Sequence, residues 1–155
     1  MTVAELFSEA ELSPTGPLSW GTVVDERGCG IYVIASVSDA NSNHPTTFHF
    51  TEKEEQDRWL SDESILYVGQ TTKQSLKKRI NQFYQHKYGA RSPHRGGQAI
   101  KLVLANERSN SPLRLWVYWA PTNSPVESER KMLLAFRQHV GNWPYANRKY
   151  PKLAS

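Results

Sequence analysis

Four side chains in this sequence combine a reactive type with an informative position. Glu129 precedes Met132, Leu133, Phe136 and Val140 at i+3, i+4, i+7 and i+11, which puts a carboxylate on the inward face of a helix. A buried carboxylate without a partner costs several kcal/mol or takes up a proton, so Glu129 calls for a cation. An arginine would make it a structural ion pair, and a metal ion would make it a catalytic site. Arg79 lies between Leu76 and Phe83 on the apolar side of an otherwise basic helix, unlike Lys77 and Lys78. Its planar guanidinium suits either a phosphoryl group gaining charge or Glu129 itself. Tyr32 and Tyr67 stand in Gly30-Ile31-Tyr32 and Tyr67-Val68-Gly69, two β-favouring runs in which a nearby glycine, Gly69 in the second, lets a backbone or a phosphate come close. Each tripeptide alone also fits an ordinary sheet tyrosine beside a turn glycine.

The histidines add less. His86 is seven residues beyond Arg79 on the same helical face, and His94 precedes Gly96-Gly97 beside Arg91 and Arg95. Either is a candidate proton carrier or phosphate contact, or an ordinary surface histidine. There is no H-E-x-x-H spacing, no P-loop and no dinucleotide fingerprint, so no small-molecule cofactor is expected. Serine or cysteine nucleophile patterns are also missing.

Charge is divided along the chain. Up to Leu66 twelve acidic residues face three basic ones, a net −9, and after Gln70 three acidic residues face sixteen basic ones, a net +13. Thr71 to Asn106 has no carboxylate but holds Lys73, Lys77, Lys78, Arg79, Lys87, Arg91, Arg95 and Lys101. Such a segment attracts polyanions, the alternative being a solvated basic face. The acidic first third could serve as a homodimer surface, a partner site or a solubilising face. One cysteine, Cys29, excludes an intramolecular disulfide and a cysteine-rich zinc site, and a cytoplasmic setting is expected. No run approaches the roughly 20 apolar residues of a membrane span.

The elements that position these groups read as α+β: a small, mainly antiparallel β-sheet flanked by helices, in one domain spanning 1–155. Residues 1–20 hold a peripheral helix opened by the capping box Thr2-Val3-Ala4-Glu5 and ended by Pro14 to Pro17. The core, 21–150, has a short strand at Gly21–Val24, a stronger one at Gly30–Val37 and another at Ser64–Gly69. An insertion at about 38–63 contains a loop, a strand near Thr46–Phe50 and a short helix opened by Thr51-Glu52-Lys53-Glu54. The spacing of Leu76, Ile80 and Phe83 predicts a helix from Ser75 to His86. A loop over Tyr88–Gly97, a helix near Gln98–Ala105 and an alternating strand over Leu113–Trp119 follow. Ser124-Pro125-Val126-Glu127 then starts a helix that stops at Gly141, giving Glu127 a sufficient capping role.

Taken in order, these residues resemble the GIY-YIG nuclease domain of homing endonucleases, excision-repair nucleases and certain restriction enzymes. Gly30-Ile31-Tyr32 is similar to the first signature, and Tyr67-Val68-Gly69 to the second, with valine for isoleucine. Arg79 matches the helix arginine. Glu129 resembles the metal-binding glutamate, and Asn147, in Pro144-Tyr145-Ala146-Asn147, the late asparagine. The family usually joins its signature strands by a tight hairpin, whereas here the insertion intervenes, at small entropic cost. Several members carry a histidine one turn after the arginine, where this chain has Phe83, leaving His86 and His94 as substitutes. The resemblance implies hydrolysis of DNA phosphodiester bonds with Mg²⁺ or Mn²⁺ on Glu129. In that reading Tyr32 is the general base, Tyr67 orients water or phosphate, Arg79 stabilises developing charge and Asn147 holds the site by hydrogen bonds. A tyrosine with an ordinary pKa of about 10 needs an arginine, a lysine or a metal ion beside it to act as a base, and Lys73 is one candidate. Gly69, Lys73, Lys77, Lys78, Arg91, Arg95 and Lys101 are the expected DNA contacts. A module that binds DNA or RNA without cutting is the rival reading.

Overall fold

The computed structural model describes residues 1–37, 50, 52–60, 62–85, 100, 114–148 and 151. The elements in chain order are α1 (Val3–Ser8), β1 (Thr15–Ser19), β2 (Gly30–Val37), α2 (Lys53–Arg58), β3 (Ile65–Thr71), α3 (Leu76–Gln85), β4 (Arg114–Pro121) and α4 (Pro125–Val140). The four strands form one antiparallel sheet in the order β1-β4-β2-β3, so the class is α+β as expected. His86, His94, Arg91, Arg95 and Lys101 lie outside the described residues, as do the 38–47 loop, the strand expected before Phe50 and most of the helix expected near Gln98–Ala105.

β2 and β3 pair directly despite the insertion between them, with Tyr32 opposite Gly69 and Ile34 opposite Tyr67. β2 also pairs along its whole length with β4, from Gly30 opposite Pro121 to Val37 opposite Arg114. Alternation along β2 sends Tyr32 and Ile34 to one face and Ile31 and Val33 to the other. On the first face these meet Leu76, Ile80 and Phe83 of α3, together with Leu115, Val117 and Trp119 of β4. On the second they meet Leu6 and Phe7 of α1 and Met132, Leu133 and Phe136 of α4. The apolar stripes read from periodicity in α3 and α4 are thus the stripes that pack.

Two expectations for the first 24 residues are corrected. The Thr2 side chain caps α1 by accepting the Glu5 N–H at 3.1 Å, as read, but Leu6 and Phe7 are fully buried, so α1 is part of the core and not peripheral. The strand is Thr15–Ser19 rather than Gly21–Val24. β1 runs along the free edge of β4, where the missing N–H of Pro17 is tolerated. Gly16 is required there, because a Cβ would sit 2.7 Å from the Val117 carbonyl oxygen. Helix α2 starts at Lys53 behind Glu52, which gives no side-chain cap, and Thr51 lies outside the described residues. α4 begins at Pro125 as expected, but Ser124 also gives no side-chain cap, and Glu127 is exposed in the first turn. Gly141 ends α4 with φ 89°, the left-handed conformation of a helix stop. Among the described residues no helix is long and apolar enough to cross a membrane.

Candidate functional site

The site is built where α3 and α4, on opposite faces of the sheet, approach the edge strand β3. α3 is fixed at its start by the loop before β2. The Leu76 and Lys77 N–H groups donate to the Gly28 and Glu26 carbonyls at 2.8 and 2.9 Å, which satisfies first-turn donors that a helix leaves open. At its other end Trp20 packs edge-on against Phe83 and Tyr84, and the Tyr84 hydroxyl donates to the Thr22 carbonyl at 2.9 Å. Arg79 is half-buried in the middle of the helix thus held.

Tyr32, Tyr67 and Phe83 form one aromatic cluster, with ring centroids 5.8 Å apart for the two tyrosines and 5.0 Å for Tyr67 stacked on Phe83. Phe83 fills the turn after Arg79 as a packing residue. Tyr32 is fully buried and lies directly over Gly69, where an added Cβ would stand 2.5 Å from the Tyr32 Cζ and 2.7 Å from its hydroxyl. Gly69 is itself buried, so the close approach it permits is that of the Tyr32 ring, and not of a phosphate as expected.

Electrostatics join four of the expected residues. Burial pushes the Glu129 carboxyl up to about 7, with the Arg79 guanidinium pulling the other way. Burial also raises the Tyr32 hydroxyl above its ordinary value, opposed by Arg79 and by the Tyr67 hydroxyl and assisted by Glu129. Tyr67 is raised well above its ordinary value by burial, by Tyr32 and by Glu129. Arg79 and Glu129 therefore both act on Tyr32 and on Tyr67, and Arg79 acts on Glu129. Because β3 is outermost, groups from helices on opposite faces can meet around it without crossing the sheet. Of the arginine, lysine or metal expected beside Tyr32, Arg79 is the cation that acts on it, but burial outweighs that cation and the hydroxyl is raised instead of lowered. Lys73 is exposed and is not among the groups that act on Tyr32.

Asn147 is 5 % exposed and clamps the outer edge of β3. Its Oδ1 accepts from the Val68 N–H and its Nδ2 donates to the Val68 carbonyl, both at 2.9 Å. The Ala146 N–H donates to the Leu66 carbonyl at 2.7 Å. A short C-terminal stretch thus supplies the hydrogen bonds an edge strand lacks, at the residue between Tyr67 and Gly69. Asn147 is a positioning residue. Asn147→Ala leaves a buried donor and acceptor on Val68 unmatched, and a loss of about 2 kcal/mol is expected in urea unfolding; an unchanged midpoint would contradict the clamp.

The basic residues divide. Lys73, Lys77 and Lys78 are exposed, and Lys77 is 3.7 Å from Asp25 in an exposed pair of small energetic weight. Among the described residues Lys73, just after β3, and Lys78, beside Arg79 in α3, are also exposed. Sequence reasoning did not find Glu55, Tyr145 and Arg148. The Glu55 Oε2 accepts from the Tyr145 hydroxyl at 2.5 Å and from the Arg148 guanidinium at 2.6 Å, tying α2 to the stretch that contains Asn147. Partners 90 and 93 positions apart share no periodicity that could have signalled them.

Among the described residues no group of three or more histidine, cysteine, aspartate or glutamate side chains is gathered for a metal ion. Glu129 offers one carboxylate with its charge incompletely balanced. That donor set suits a hydrated Mg²⁺ or Mn²⁺, which keeps several waters and takes one or two carboxylates plus substrate oxygens, rather than an ion caged by protein. Compared with family models, with curated proteins and with solved structures, the chain gives no match.

Proposed function

We propose that this chain is an endonuclease of the GIY-YIG type that hydrolyses DNA phosphodiester bonds with Mg²⁺ or Mn²⁺. The observation that carries the reading is that Arg79 and Glu129, from two helices, act electrostatically on Tyr32 and Tyr67, two strand tyrosines whose rings lie against Gly69. Arg79 stabilises the charge that builds on the phosphoryl oxygens. Tyr67, half-buried and the outer of the two tyrosines, holds a water or phosphate oxygen through its hydroxyl. Tyr32, enclosed between Gly69 and Phe83, fixes Tyr67 and is the deeper proton acceptor. Glu129 would hold the metal ion, which when bound supplies a Lewis acid and the added positive charge that Tyr32 needs to ionise. The exposed Lys73 and Lys78 contact the phosphate backbone.

The deciding experiment is plasmid DNA incubated with the purified chain in Mg²⁺ or Mn²⁺ and in EDTA. Nicking or linearisation that EDTA abolishes is expected. Phosphate-dominated binding also predicts a steep fall in affinity with salt, and Lys73→Ala with Lys78→Ala is expected to reduce the log–log salt slope by about 2. A slope unchanged in the double variant removes these lysines from the interface. The raised tyrosines and Phe83 at the turn after Arg79 favour, as the second reading, a module that binds without cutting. Salt-sensitive binding with no metal-dependent cleavage selects that reading, and competition between DNA and RNA then identifies its polymer.

A further inference from the structure

The chain that leaves β2 does not return straight to β3: it first forms α2, which lies against the segment closing the β3 edge. Around Tyr145 the packing is dense. Phe50 stacks on its ring at 5.3 Å with planes 28° apart, Trp59 meets it edge-on at 5.2 Å, and the Arg148 guanidinium lies 5.0 Å from the ring centroid. Phe50 is itself tied to α2, its N–H donating to the Gln56 side-chain oxygen at 2.7 Å. Burial works against the charge on Glu55, yet the hydrogen bonds from Tyr145 and Arg148 keep its carboxyl below the ordinary range.

Tyr145 and Arg148 bracket the two residues that hold β3. Between them Ala146 bonds Leu66 through its N–H, and Asn147 bonds Val68 through its side chain. One carboxylate oxygen therefore grips both ends of the stretch whose middle grips the edge strand. Tyr67 and Gly69, the site's contribution from that strand, flank Val68. Trp143 packs with the core on one face of the sheet and Tyr145 with the core on the other, so the stretch wraps around the edge. Glu55 anchors the end that has crossed.

We infer that Glu55 is a positioning residue: through Tyr145 and Arg148 it makes α2, with Phe50 and Trp59, the device that seats Asn147 on Val68 and so sets Tyr67 and Gly69 under Tyr32. The insertion between the signature strands is thereby part of the site's construction and not a passive extension. The activity consequence rests on the nuclease reading, while the structural consequence does not.

The test uses the whole chain in three variants. Glu55→Ala removes the acceptor of both hydrogen bonds. Glu55→Gln keeps an acceptor for Tyr145 and loses the charge facing Arg148. Leu6→Ala is a control that weakens the core on the other face, in α1. Amide hydrogen exchange at Val68 is expected to quicken by at least about tenfold in Glu55→Ala, with β4 amides little changed and Glu55→Gln intermediate. In cleavage assays kcat is expected to fall by a similar factor at unchanged KM, with partial rescue in Glu55→Gln and kcat retained in Leu6→Ala. Unchanged Val68 exchange in Glu55→Ala overturns the inference, as does a Leu6→Ala variant of similar melting temperature that reproduces both effects. If the wild-type chain does not cleave DNA, the nuclease reading fails, and the exchange data still decide the role of Glu55.

Discussion

Glu129→Gln is expected to stabilise the protein at pH 8 while removing the proposed DNA-cleavage activity. Burial raises the Glu129 carboxyl from an ordinary 4.5 to about 7, so the native chain holds this proton more tightly than the unfolded chain does. Below the unfolded value both states are protonated and no penalty exists. As pH rises from about 4.5 to about 7 the unfolded state ionises first, and stability falls; above 7 the full penalty stands. Allowing for the partial exposure of the group, that penalty is about 2 kcal/mol. Glutamine has nearly the same shape and cannot ionise, so the variant is expected to melt about 6 °C higher at pH 8 and to match the wild type near pH 4. On the proposed nuclease reading saturating Mg²⁺ or Mn²⁺ would neutralise the same carboxylate, so metal is expected to raise the wild-type melting temperature at pH 8 and to leave the variant unchanged. Cleavage is expected to fall more than about 100-fold, since even groups behind a metal ligand are worth about 10- to 100-fold. Thermal melts across pH, with and without metal, check the stability claims independently of catalysis. A variant less stable than the wild type at pH 8 shows that the carboxylate is already balanced within the protein. A metal-induced shift that survives the substitution places the ion elsewhere.

The parts of this molecule that could be read from sequence are those encoded by near neighbours. Leu76, Ile80 and Phe83 repeat within one helix, and their spacing both outlines α3 and singles out Arg79 at its border. Met132, Leu133 and Phe136 do the same for α4, which is how Glu129 could be recognised on an inward face. β1 escaped because Gly16 and Pro17 read as a break, and only the place of that strand at the sheet edge makes them acceptable. The depth of α1 escaped for a similar reason: Leu6 and Phe7 form a modest stripe, and α4 and the sheet decide whether it is covered.

The site shows the same division. Residue types and order bring Tyr32, Tyr67, Arg79 and Glu129 forward, but the state of each group follows from a balance of burial against charge that only the folded geometry sets. For Tyr32 the sequence leads to a lowered pKa from a neighbouring arginine, lysine or metal ion; Arg79 is such a neighbour, yet enclosure by Gly69, Tyr67 and Phe83 gives the opposite sign. Glu55 has no local pattern at all, since its function arises from partners met after the chain has completed the sheet.

Gly69→Ala tests whether that enclosure is what the glycine after Tyr67-Val68 is for. The new methyl carbon would stand 2.5 Å from Tyr32 Cζ, 2.7 Å from the Tyr32 hydroxyl and 2.7 Å from Tyr67 Cε1, all inside van der Waals contact. The Tyr32 ring has no free space to retreat into, since it is fully buried with Phe83 5.7 Å away edge-on, and Tyr67 is stacked on the same Phe83. Relief therefore requires β3 to move outward, against the Asn147 clamp on Val68, or Tyr32 to leave its rotamer. Overpacking of a filled core costs about 1 to 3 kcal/mol, and the rigid surroundings put this case at the upper end, a melting temperature lower by about 9 °C. Because strain falls on both tyrosines at once, cleavage is expected to drop more than stability alone predicts, at temperatures where the variant remains folded. Tyr32→Phe provides the discriminating partner: it keeps the ring and removes only the enclosed hydroxyl, so it is expected to abolish base function while leaving the fold nearly as stable. If Gly69→Ala folds with wild-type stability, the space over Gly69 is not the constraint that the position of Tyr32 implies. If it is destabilised but Tyr32→Phe cleaves DNA at the wild-type rate, the ring packs the core and the proton acceptor must be another group of the cluster.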